Sequence, residues 1–83
     1  VRSVVEVRYF AAAADAAGTE KETVSLPDGA DLAQLSAVLS DSHGSKLAEI
    51  LSVSAFLVGD DLTRDRSVVV GPRVDVLPPF AGG

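Results

Sequence analysis

Residues 4–10, VVEVRYF, set the first constraint on the fold. Val5, Val7 and Tyr9 alternate with Glu6 and Arg8, and β-branched and aromatic residues dominate. The alternation predicts a strand with one face toward a core and the other carrying charge. The next stretch, AAAADAA, forms helix readily and stops at Gly18, a good C-terminal signal. A helix of about two turns needs packing from elsewhere to persist.

A second strand and a longer helix follow, with no internal repeat. Glu22 to Leu26 reads as a second short strand, closed by the turn PDGAD. Asp31 stands where a helix N-cap belongs, with Gln34 three residues on as a capping box. Leu32, Leu35, Val38 and Leu39 follow at helical spacing and predict one apolar face to Ser42. Gly44 breaks that helix, and SKLAEIL predicts a further turn or two with Leu47, Ile50 and Leu51 facing inward. SAFLV predicts a strand ending in the turn GDD. RSVVVG is a weaker strand candidate, interrupted by Pro72, and Arg73 to Leu77 forms the final strand. This order of elements predicts an α+β domain, a small sheet with its helices gathered on one face.

Composition narrows the function. A chain of 83 residues suits one domain, with residues 1–77 as its body and 78–83 as an extended tail. With 47% hydrophobic and 23% charged residues it is expected to fold. It has no cysteine, which excludes disulfides, thiolate metal sites and a cysteine nucleophile. A net charge of −5 argues against nucleic acid, and Arg64, Arg66 and Arg73 are interleaved with Asp60, Asp61, Asp65 and Asp75. No apolar run approaches the roughly 20 residues of a membrane span, and VRSVVEVRYF lacks the form of a signal peptide. A cytoplasmic protein with no membrane partner is the expectation.

The folded body offers little chemistry. His43 is the lone histidine, placed where a cation favours a helix C-terminus, and makes a poor metal site or catalytic base by itself. Asp60 and Asp61 follow Gly59 between two strands and read as turn formers; no metal is expected. Neither a phosphate-binding glycine motif nor a GxSxG elbow occurs. The unusual stretch is the closing VDVLPPFAGG, in which a buried-looking strand passes straight into an uncharged tail. Pro78 and Pro79 favour an extended conformation. Ala81, Gly82 and Gly83 have almost no side chain, so the segment could enter a narrow channel.

Three stretches, VEVRYFAAAADAAGTE, ADLAQLSAVL and above all VDVLPPFAGG, resemble the ubiquitin-like sulfur carriers, and among them the small, MoaD-type subunits of molybdopterin synthase. The resemblance covers residues 4–83. It implies a β-grasp fold, with the first and last strands parallel and adjacent at the sheet centre and a flexible Gly-Gly tail. It also implies that an adenylyltransferase of the ubiquitin-activating type, using ATP and Mg, adenylates the terminal glycine. A sulfur donor protein then displaces AMP to leave a thiocarboxylate. The tail next enters the large subunit of molybdopterin synthase, in a heterotetramer, where sulfur passes to cyclic pyranopterin monophosphate.

On this resemblance the chain binds no cofactor itself and has no active site of its own; it is the sulfur-donating, non-catalytic half of a sulfurtransferase. Gly83 would bear the acyl-adenylate and then the thiocarboxylate. Gly82, Ala81 and Phe80 would line the partner's channel, and Pro78 and Pro79 would set the exit direction. Phe10, Leu77 and Leu62 match positions for docking the large subunit, with simple core packing as the competing reading. The same tail would also serve a carrier for thiamine-thiazole or cysteine synthesis, or a ubiquitin-like conjugating module. Two departures touch loops: Val58 replaces an asparagine frequent in the family, and VVVGPRV has Gly-Pro-Arg where an Asp-Gly-Asp type of turn is usual.

Overall fold

The computed structural model describes residues 2–79, so the tail positions Phe80, Ala81, Gly82 and Gly83 lie outside the described residues. Strand β1 (Arg2–Tyr9) is followed by α1 (Ala12–Ala17), β2 (Lys21–Pro27), α2 (Leu32–His43) and α3 (Ser45–Val53). Three strands complete the described fold: β3 (Ala55–Val58), β4 (Asp61–Thr63) and β5 (Arg73–Leu77). They form one sheet in the order β2-β1-β5-β3-β4. β1 and β5 are parallel at its centre, and the other neighbours are antiparallel. A parallel pair cannot be joined by a tight turn, so the helices cross between the two strands and cover one face.

Local signals place the helix ends. Gly18 closes α1 in the left-handed conformation (φ 76°), its N–H bonded to the carbonyl of Ala14. At the start of α2 both halves of the capping box form. The Asp31 carboxylate accepts from the Gln34 N–H at 3.0 Å, and the Gln34 side chain accepts from the Asp31 N–H at 3.3 Å. Gly44 (φ 92°) ends α2 and lets α3 start at once in a new direction.

The core lies between the helices and one sheet face. Val5, Val7 and Tyr9 of β1 meet Val74 and Val76 of β5 and Phe56 of β3, under Leu32, Leu35 and Leu39 of α2 and Leu47 and Leu51 of α3. Each such side chain contributes about 1.5–3 kcal/mol on burial. Val38 is a correction to the expected apolar face, since it turns to solvent; the buried stripe of α2 is Leu32, Leu35 and Leu39.

A second correction concerns the last third. RSVVVG is not a strand; Val69 makes a single bridge, to Asp31. Its backbone is used elsewhere: the carbonyls of Val68 and Arg66 accept from the N–H groups of Leu32 and Ala33, and the Val70 N–H donates to Ala30. Those two donors belong to the first turn of α2, which has no partners for them within the helix. The additional strand is instead β4, Asp61–Thr63, paired back on β3 through a turn at Gly59 and Asp60. Arg66 is therefore a structural residue. It donates to Ser36 Oγ at 3.0 Å and to the Leu51 carbonyl, with its guanidinium 5.1 Å from the centroid of Phe56.

Candidate functional site

The helices cover one face of the sheet, and the register fixes what the other face carries. Lys21, Arg8, Asp75, Leu57 and Leu62 form one row across all five strands, pointing away from the buried valines of β1 and β5. The next row brings Leu77 beside Ala55. Phe10 follows the end of β1, with the Arg8 guanidinium 5.8 Å from its ring centroid. Of the three residues matched to docking, Leu62 is 64% exposed and Phe10 and Leu77 are half-buried, so none belongs to the buried core. Leu62 and Leu77 share the open face by register. Phe10 also lines a solvent-open hollow of about 430 Å³ with Arg8, Ala11, Ala14, Glu20 and Lys21.

The root of the tail adjoins this face. β5 lies between β1 and β3, so the chain leaves the sheet from its middle. Pro78 is buried and Pro79 exposed. Asp75, counted in the sequence among charges surrounding the arginines, is 7% exposed, and its Oδ1 has no hydrogen-bond partner among the described residues. Its place next to Arg8 depends on the sheet order, which no local spacing reveals.

A second polar cluster lies on the helix side. The Tyr9 hydroxyl donates to Glu22 Oε2 at 2.7 Å, and His43 Nε2 lies 2.5 Å from the same oxygen. The Tyr9 and His43 rings meet edge to face, 6.0 Å between centroids. Burial, then the hydrogen bond and charge of Glu22, hold the Tyr9 phenol well above its ordinary value. His43 does occupy the last turn of α2, as a helix C-terminus favours, but its ring ties that helix to β1 and β2. Asp60 and Asp61 are exposed, one in the turn and one opening β4. Among the described residues no three His, Cys, Asp or Glu side chains stand close enough to hold a metal, and no helix is long and apolar enough to cross a membrane.

A mixed five-stranded sheet with a central parallel pair and helices on one face is the ubiquitin-like β-grasp. The fold is shared with the small archaeal modifier protein 1 of Methanosarcina acetivorans (TM-score 0.78, 19% identity, 100% of this chain and 99% of that one). It is shared too with the complex of subunits 1 and 2 of molybdopterin-converting factor from Helicobacter pylori (TM-score 0.64, 28% identity, 96% and 99% covered). A human protein named molybdopterin synthase sulfur carrier subunit is 32% identical over 95% of this chain and 93% of its own. The pattern of the ThiS family matches residues 7–83, and the chain belongs to that family. The resemblance to ubiquitin-like sulfur carriers of the MoaD type thus holds at the level of the family.

Proposed function

We propose that this chain is the sulfur carrier of molybdenum cofactor biosynthesis and donates sulfur from the carboxyl group of Gly83 as the small subunit of molybdopterin synthase. The observation that carries the reading is the family match, which runs through PPFAGG to residue 83 and joins that tail to the central strand β5. A carboxylate is a poor electrophile, and this chain has no thiol on which sulfur could ride. Attack of the Gly83 carboxylate on the α-phosphate of ATP, with loss of pyrophosphate, makes an acyl-adenylate on the activating enzyme. Sulfide from a donor protein then attacks the acyl carbon, and AMP leaves as the thiocarboxylate forms. The large subunit receives the tail through Gly82, Ala81 and Phe80, while Pro78 and Pro79 direct it. Phe10, Leu77 and Leu62 dock on that subunit, in a cytoplasmic heterotetramer.

The test is the intact mass of the protein after incubation with ATP, Mg, an adenylyltransferase and sulfide. One oxygen-for-sulfur exchange is expected, absent when Gly83 is deleted or when one residue is added after it. Normal activation of the extended chain would refute the role of Gly83. Covalent adducts on partner lysines, with no sulfur gain, would instead mark a conjugating module.

A further inference from the structure

The open face holds a group that sulfur transfer does not use. Asp75 lies in the central strand with Arg8 and Leu57 as its register neighbours, and Leu77 follows two residues on. It is 7% exposed, yet its Oδ1 accepts no hydrogen bond among the described residues. Arg8 is its register neighbour, but the Arg8 guanidinium lies toward Phe10, 5.8 Å from the ring centroid. Among the described residues Asp75 has no salt-bridge partner. A carboxylate in this position is a cost to the free chain, and a partner that covers the face without a donor would deepen that cost.

Building on the docking reading above, we propose that Asp75 is the polar anchor of this face, accepting a charge-assisted hydrogen bond from an Arg or Lys side chain of the large subunit. The surrounding apolar residues favour that arrangement. Leu57 and Leu62 lie to one side of Asp75 in register and Leu77 follows on its own strand, and the carboxylate is already largely shielded from water, so an ionic bond made to it would be strong. A cation answers the full charge, where a neutral donor answers only one lone pair. The net charge of −5 adds a long-range pull on a basic partner surface. Asp75 would thereby select its partner as well as bind it, because an apolar surface in the same place would leave the charge unpaired.

The test compares the wild-type chain, Asp75→Asn, Asp75→Ala and Leu62→Asp. For each, the thermal midpoint of the free chain and the affinity for the purified large subunit from the same organism are measured at low and high ionic strength. Both Asp75 variants are expected to melt at or above the wild-type temperature, yet to bind at least about tenfold more weakly with a flatter salt dependence. Opposite signs in stability and affinity are the signature of a group kept for the partner. Unchanged or tighter binding overturns the proposal. So does weaker binding with a matching fall in melting temperature, which would make Asp75 part of the sheet's own framework. If Leu62→Asp weakens binding and the Asp75 variants do not, docking on this face stands and the anchor falls. Failure of the wild-type chain to bind refutes both.

Discussion

Tyr9→Phe removes a single oxygen from the Tyr9, Glu22 and His43 cluster, and its effect on stability should vary with pH in a way the geometry sets. At pH 8 the phenol is neutral in the folded and the unfolded chain. Its bond to Glu22, 2.7 Å long, is made to a carboxylate that keeps a second partner in His43. Losing it should cost about 1–2 kcal/mol. Above pH 10 the balance changes. Burial and the Glu22 carboxylate keep the proton on Tyr9 in the folded chain, while the unfolded chain releases it near the ordinary tyrosine value. The folded state then binds more protons, so stability falls as pH rises, by about 1.4 kcal/mol per pH unit. The phenylalanine variant has no such loss. The gap between the two proteins should therefore shrink from about 1–2 kcal/mol at pH 8 to almost nothing near pH 11. Tyr9 is the sole tyrosine, and both proteins share Lys21 and Lys46, whose titration cancels in the difference. Urea denaturation of both chains at four pH values between 8 and 11 reads the gap directly. A constant gap across that range would refute the argument.

Two further changes test the framework and the docking face. Asp31→Ala removes the cap of α2 and should lower the unfolding free energy by about 1 kcal/mol in urea; an unchanged midpoint would mean that the capping box does not contribute. Phe10→Asp places a charge beside Arg8 at the rim of the open face and should weaken large-subunit binding by more than about 1–2 kcal/mol with the fold intact; equal affinity in titration calorimetry would return Phe10 to a passive surface role.

Much of this fold is legible residue by residue because its signals are local. The alternation in β1, the arrest of α1 at Gly18, the Asp31 and Gln34 capping box and the break at Gly44 each depend on a few adjacent side chains and on backbone preferences. Each forms where the spacing predicts it. The PPFAGG stretch is as legible along the chain and carries the resemblance to the sulfur carriers, while residues 80–83 lie outside the described residues.

Tertiary structure decided what those signals leave open. Asp61–Thr63 became a strand and Val68–Val70 did not, because the first turn of α2 takes up the carbonyls of Arg66 and Val68. Tyr9, Glu22 and His43 meet from three elements, and nothing in their separate neighbourhoods announces it. The parallel pairing of β1 with β5 was implied by family resemblance alone, since strand propensity does not name a partner. That pairing sets Asp75 beside Arg8 and Leu57 and makes a surface-looking aspartate a buried one. Caps, turns and alternation are free energies of neighbouring residues and can be read along the chain. Burial and pairing depend on which distant segment arrives alongside, and that is settled only when the sheet closes.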